Sequence, residues 1–210
     1  MILSHGLGDS QSTMRFYAQN LAQDGYLAVT FNFNHGTVSD DMTKMSIFTE
    51  EDDLNSVIKY IKVRHTGSLY LVGASQGGVV TAMTVADRSD IKGIALLYPA
   101  FVLRDEMLER FGNQTTNYPE TFNLMGMTLG KEYLEKLPDY DLLKEVTRYQ
   151  GPVLIIHGTS DTIAPISYSE EVSQQYQRSK LVKLKDTGHG FYGQDLRAAQ
   201  KEIRAFFNKH

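Results

Sequence analysis

Leu69-Tyr70-Leu71-Val72-Gly73-Ala74-Ser75-Gln76-Gly77-Gly78-Val79-Val80 reads as a buried strand that runs into a sharp turn at Ser75 and, with no linker, into an apolar helix. Gly73, Ser75 and Gly77 form the pattern G-x-S-x-G. A serine at the tip of a strand-to-helix turn sits in a strained backbone conformation. Only small residues two positions to either side let strand and helix pass closely enough. The hydroxyl is then exposed above the positive end of a helix. The bland alternative is a flexible Gly-Ser turn; the apolar strand before and the helical pattern after favour a nucleophile.

Working outward, the same alternation of strand and helix covers the chain. Ile2-Leu3-Ser4 ends a strand that enters the glycine-rich loop His5-Gly6-Leu7-Gly8. Phe16, Ala18, Leu21 and Ala22 are spaced as one apolar helix face, closed by Asp24-Gly25. Tyr26 to Phe33 reads as a strand, and Thr49-Glu50-Glu51-Asp52 as a helix start, acidic where the dipole favours acid. Further strands are expected at Ile91 to Tyr98, Val153 to His157 and Leu181 to Leu184, with helices from Gln76 to Ala86, about Ile166 to Tyr176 and about Gln194 to Phe207. Residues 100–150 contain no strand-length apolar run and read as an inserted helical layer, a lid or cap on one domain spanning 1–210. The apolar runs are continuous, which implies a mostly parallel sheet of about six strands with helices on both faces.

Composition narrows the chemistry. With no cysteine in 210 residues there is no disulfide, thiolate metal site or cysteine nucleophile. A formal net charge of −4 without a basic block argues against nucleic acid as partner. No apolar run approaches the roughly 18 residues of a membrane span, and the N-terminal residues lack a signal-peptide pattern, so the expected compartment is the cytoplasm. No histidine pair has metal-ligand spacing, and neither a metal nor another cofactor is expected.

Parallel sheets present their ligand sites at the carboxyl ends of the strands. Four loops there hold suggestive residues: His5 to Gly8, Ser75, Asp161 and His189. A serine hydroxyl needs a base within hydrogen-bond reach, and the base needs an acid to orient it. Ser75, Asp161 and His189 follow the chain order used by α/β-hydrolases. Read singly, Asp161 is also compatible with a helix-capping loop residue, His189 with an exposed turn and His5-Gly6 with a plain tight turn. Acyl transfer requires donors at the developing oxyanion. The backbone N–H groups of Gln76 and Leu7 are the expected pair. His35 and His157 are expected to bond backbone, His65 and His210 to lie on the surface, and the run Glu50 to Asp53 to be a solvated helix start. Tyr17 and Tyr60 are expected in or near the core.

His5-Gly6-Leu7-Gly8, Gly73 to Gly78, His157-Gly158-Thr159-Ser160-Asp161 and Gly188-His189-Gly190 together resemble the α/β-hydrolase superfamily over nearly the whole chain. Ser75 to Val80, Tyr98-Pro99-Ala100 and His157 to Thr162 resemble bacterial feruloyl (cinnamoyl) esterases. The resemblance implies a serine esterase acting on a small-molecule ester, with the insert over the site. It also implies substrate contacts from an acidic residue early in the insert, Glu106 with Asp105 as rival, and from a later tyrosine, Tyr133. Other acyl hydrolases (lipase, thioesterase or peptidase) and a non-catalytic binding module on the same fold are the alternatives. The superfamily ordinarily has strands before the His-Gly motif that are lacking here. The strand Tyr26 to Phe33 is therefore expected at a sheet edge, inviting homodimer pairing with a second copy.

Overall fold

The computed structural model describes residues 1–112 and 118–210, so that 113–117 of the expected insert lie outside the described residues. The elements in chain order begin with β1 (Ile2–Ser4), α1 (Arg15–Gln23), β2 (Val29–Thr30), α2 (Ile47–Arg64), β3 (Leu69–Ala74), α3 (Gln76–Val85) and β4 (Ile91–Leu97). Then come α4 (Leu103–Phe111), β5 (Thr121–Leu124), β6 (Met127–Gly130), α5 (Glu132–Glu135) and α6 (Leu142–Val146). The chain finishes with β7 (Val153–Gly158), α7 (Ile166–Gln175), β8 (Ser179–Leu184) and α8 (Gly193–Phe207).

Six strands form one parallel sheet in the order β2-β1-β3-β4-β7-β8. Successive residues point to opposite faces, and both faces are covered. Leu69 and Leu71 of β3 and Val153 and Ile155 of β7 pack with α2, α3, α6 and α7. Tyr70, Val72, Leu154 and Ile156 pack with α1 and α8. This double coverage is why β3 and β7 are apolar at every position rather than alternating. Each fully buried leucine or isoleucine contributes roughly 2 kcal/mol of burial free energy. The chain leaves β1 toward β2 on one side and returns to β3 on the other. The strand order therefore reverses between β1 and β3, which is where ligands of open α/β sheets bind.

Four sequence expectations are corrected. The insert is not purely helical: β5 and β6 pair antiparallel, Thr121 to Gly130 and Leu124 to Met127. The two residues between them, Met125 and Gly126, both have positive φ (52° and 86°), as a tight hairpin loop matched to strand twist requires. The strand signal was the short alternation Thr-Phe-Asn-Leu, exposed and buried in turn, rather than an apolar run. The inward face of α1 is Met14, Tyr17, Ala18 and Leu21, which leaves Phe16 60% exposed. The segment Tyr26 to Phe33 is paired only at Val29 and Thr30. It forms the sheet edge. Tyr17 is buried whereas Tyr60 is 56% exposed.

One close approach holds the reversal point together. A Cβ on Gly77 would run into the carbonyl oxygens of His5 and Ser4, and one on Gly73 into the Gly77 carbonyl and the Thr81 hydroxyl. The first turn of α3 thus lies directly on the end of β1, with no room for a methyl group. Because the obstructing atoms of His5 and Ser4 are backbone, Gly77→Ala is expected to destabilise the protein by about 3 kcal/mol. Gly67, where an added Cβ would have nothing within 4 Å, is the control: Gly67→Ala is expected to stay within about 0.5 kcal/mol. Urea unfolding midpoints measure both, and an unchanged midpoint for Gly77→Ala would contradict the close packing.

Candidate active site

Ser75 links β3 directly to α3 with φ 53° and ψ −123°, a left-handed conformation that a side-chain-bearing residue adopts only when its surroundings enforce it. The enforcement is visible. The Ser75 N–H donates to the Leu97 carbonyl at 2.9 Å, and the Ser75 carbonyl accepts from Gly78 at 2.9 Å and Ala100 at 3.2 Å. The turn is tied at both ends.

His189 comes from the loop after β8, and its Nε2 lies 2.9 Å from Ser75 Oγ. Its Nδ1 lies 2.7 Å from Asp161 Oδ2. Asp161 follows β7 and is saturated with donors. Oδ1 accepts the Ile163 and Ala164 N–H groups, each at 2.9 Å, and Oδ2 accepts a second imidazole, His157 Nε2, at 3.1 Å. Burial would raise the Asp161 pKa, but the hydrogen bonds from His157, His189 and Ala164 outweigh it and hold the carboxyl well below the usual range. Because Asp161 Oδ2 only accepts, both imidazoles donate to it, which leaves His189 Nε2 to accept from the Ser75 hydroxyl. A serine so connected is able to lose its proton to the imidazole while the carboxylate stabilises the resulting cation.

His157 is wholly buried. Besides Asp161 it meets the Ala164 carbonyl at 2.8 Å and, through Nδ1, the Ser169 hydroxyl at 2.8 Å. The sequence predicts backbone partners for it; the structure adds a carboxylate and a hydroxyl. His35 bonds no backbone through its side chain among the described residues and occupies a turn with φ 62°. His5, also buried, receives the Phe33 N–H on Nε2 at 3.1 Å, so its Nδ1 donates to the Gly6 carbonyl at 2.8 Å. Burial lowers its pKa, the Gly6 bond and the Asp9 and Asp40 charges opposing, and it serves as a neutral brace for the loop. Neither the Leu7 nor the Gln76 N–H has a hydrogen-bond acceptor among the described residues. Both residues line the cleft that contains Ser75 and His189.

That cleft measures about 370 Å³ and is walled by Val38, Tyr98, Val102, Leu103, Leu124, Met125 and Ile163, with Glu106, Tyr133 and Tyr192. Glu106 is exposed and makes no side-chain hydrogen bond or ion pair among the described residues; its rival Asp105 is engaged by Tyr168 at 2.9 Å. Tyr133 is buried, and its hydroxyl donates to Gln76 Oε1 at 2.7 Å. Asp9 also lines the cleft, a position that sequence reasoning misses because only adjacency to Gly8 marks it. A larger hollow of about 490 Å³ lies at the amino ends of β4 and β7, but its Arg88 and Arg148 are tied to Asp90, Asp87 and Glu145. No nucleophile with a base stands there.

The acidic run is a further correction. The helix α2 starts earlier than expected, at Ile47, behind a capping box of Ser46 and Thr49. That phase turns Glu50 inward with Ile47, Leu54 and Ile58, and Glu50 is only 1% exposed. The spacing Ile47, Glu50, Leu54, Ile58 carried the signal.

A family model described as the prolyl oligopeptidase family matches residues 12–210. The chain belongs to the prolyl oligopeptidase family. Among curated proteins, the AB hydrolase superfamily protein YisY of Bacillus subtilis (strain 168) is 26% identical over 205 residues, covering 76% of this chain and 73% of that protein. Among solved structures, Est1E from Butyrivibrio proteoclasticus with ferulic acid bound superposes with a TM-score of 0.88 at 22% identity, over 99% of this chain and 87% of that one. The structure described as that of LipS and LipT, two metagenome-derived lipolytic enzymes, gives 0.80 at 19% identity, over 100% and 93%. The fold is the α/β-hydrolase fold, and family and fold together support an acyl hydrolase. No helix among the described residues is long and apolar enough to cross a membrane.

The depressed Asp161 pKa has a thermodynamic consequence. A carboxylate held below its unfolded value of about 3.9 contributes stability that is present above that value and lost as the pH falls through the folded-state value. Asp161→Asn is therefore expected to lower the thermal midpoint markedly at pH 6 and somewhat less at pH 3, which lies only a little below the unfolded value, as measured by circular dichroism.

Proposed function

We propose that the protein is a serine hydrolase that cleaves carboxylic esters through an acyl-enzyme. The observation that carries the reading is the continuous hydrogen-bond chain Ser75–His189–Asp161 at the mouth of an apolar cleft. Ser75 Oγ attacks the ester carbonyl carbon while His189 Nε2 takes its proton. The carbonyl π-bond pair moves onto oxygen, and the resulting oxyanion is held by the Leu7 and Gln76 N–H groups. The C–O bond to the alcohol then breaks as the imidazolium returns a proton to it. Water, deprotonated by the same imidazole, attacks the acyl-enzyme and releases the acid. No step calls for a cofactor.

For the acyl group we propose an aromatic acid of the feruloyl or cinnamoyl type. The apolar walls Leu103, Leu124 and Ile163 suit a ring, and the unpaired Glu106 supplies an acceptor for a phenolic hydroxyl. The ferulic acid bound to Est1E supports the same choice. In this reading Tyr133 contributes a wall, since its hydroxyl already serves Gln76. Peptide or amide hydrolysis is the second reading, favoured by the family match.

Ser75→Ala is expected to cut hydrolysis of a short p-nitrophenyl ester by more than about 10³-fold and to abolish labelling by a fluorophosphonate probe, with an unchanged circular dichroism spectrum. Retained activity or labelling would overturn the mechanism. In a panel of methyl ferulate, short aliphatic esters, long-chain esters and an aminoacyl anilide, methyl ferulate is expected to have the highest kcat/KM. Glu106→Gln is expected to lower that value about tenfold, as loss of a charged hydrogen-bond partner does, while leaving the aliphatic esters unchanged. A preference for the anilide would shift the assignment to peptides.

A further inference from the structure

Glu50 takes no part in the proposed reaction, yet it is a carboxyl group buried within contact of the residue that follows the nucleophile. Gln76 Nε2 donates to Glu50 Oε2 at 2.9 Å, and Gln76 Oε1 accepts from the Tyr133 hydroxyl at 2.7 Å. All three side chains are buried, and each comes from a different part of the chain: α2, the first turn of α3, and α5 in the insert. Glu50 Oε1 has no hydrogen-bond partner among the described residues. A carboxyl group so enclosed is costly unless it stays neutral, and a leucine would pack the α2 face without that cost. Gln76 gripped at both ends of its amide cannot rotate, and its backbone N–H is held with it.

We propose that Glu50 is a positioning residue for the oxyanion side of the site: by clamping the Gln76 side chain against Tyr133, it keeps the Gln76 N–H aimed into the cleft. The proposal rests on the esterase reading above and assigns Glu50 a role within it. The titratable groups facing Glu50 are Asp53 on its own helix and Tyr133 on the insert. From α3 the Gln76 amide donates to it, and from the turn before α2 it faces the side-chain-free Gly36. No cation among the described residues offsets it. Burial accordingly pushes the Glu50 pKa up to about 8, the Gln76 hydrogen bond pulling down and the Asp53 charge pushing up. Below that pH the clamp is uncharged. Above it a carboxylate stands behind the point where the oxyanion develops, opposing the negative charge that the site must stabilise.

The sign of the stability effect follows. The unfolded chain releases the Glu50 proton near the ordinary value of 4.5 and the folded chain near 8. Stability therefore declines as the pH rises from the first value through the second. Wild type, Glu50→Gln, Glu50→Ala and Tyr133→Phe, compared in short p-nitrophenyl ester hydrolysis and thermal melting from about pH 6 to about pH 9.5, test the proposal. Wild-type kcat is expected to fall several-fold above pH 8, with KM nearly constant. Glu50→Gln, which keeps the acceptor for Gln76, should retain most of the kcat at pH 7 and lose both the alkaline fall in kcat and the decline in melting temperature that the wild type shows as the pH rises toward about 8. Glu50→Ala should lose kcat about tenfold at pH 7, less than outright removal of an oxyanion donor. Tyr133→Phe should lose kcat to a smaller extent and keep the alkaline fall. An alkaline fall that persists in Glu50→Gln, or wild-type kcat in Glu50→Ala, would overturn the proposal. Should Glu50→Ala not fold, the Glu50→Gln profiles decide alone. A protein that labels with fluorophosphonate but shows no Glu50 effect rejects this proposal only; one that neither labels nor hydrolyses esters rejects the esterase reading and this proposal with it.

Discussion

The first turn of α3 rests on the carbonyl oxygens at the end of β1, and everything at the cleft depends on that contact. It is possible only because Gly77 has no side chain, and it places the Ser75 turn beside the loop that begins at His5. The order β2-β1-β3 makes these two strand ends neighbours and opens the crevice between them. The left-handed Ser75 is the backbone strain that the arrangement stores, offset by hydrogen bonds to β4 and to Ala100.

Close to this contact the Asp161 carboxylate is held on every side. Asp161 accepts four hydrogen bonds, two from imidazoles. Its carboxylate is therefore fixed in orientation as well as ionised, and His189 inherits that orientation. His5 does for the loop after β1 what His157 does for Asp161: each is a buried imidazole with both ring nitrogens in use. Of His35, His65, His157 and His210, His157 is the one that bonds to Asp161 among the described residues.

Much of the fold and site was legible before any coordinates. Continuous apolar runs at β3, β4 and β7 announced a doubly covered parallel sheet, and Gly73 and Gly77 marked the place where strand and helix pass closely. The hairpin β5–β6 was not legible as an apolar run, because one of its faces is exposed and its strands are four residues each. The inward turn of Glu50 was hidden by composition: four acidic residues in a row read as solvated, and only the capping box at Ser46 sets the helix phase that buries one of them. Glu106 and Tyr133 were named together from a resemblance. The structure separates them, one exposed in the cleft with no partner for its carboxylate among the described residues and the other buried with its hydroxyl engaged.

The sequence by itself determined the fold class and the residues Ser75, Asp161 and His189, because strand-to-helix turns, glycine spacing and chain order are local properties that the residues carry with them. Only the tertiary structure decided that Asp161 is shared between two imidazoles and that the insert reaches the Ser75 turn through Tyr133, Gln76 and Glu50. Apart from the His157–Asp161 bond within one strand-loop, those are contacts between segments 26 to 57 residues apart in the chain, and their existence depends on how helices pack over a sheet. No local pattern encodes that packing; it is a property of the assembled core.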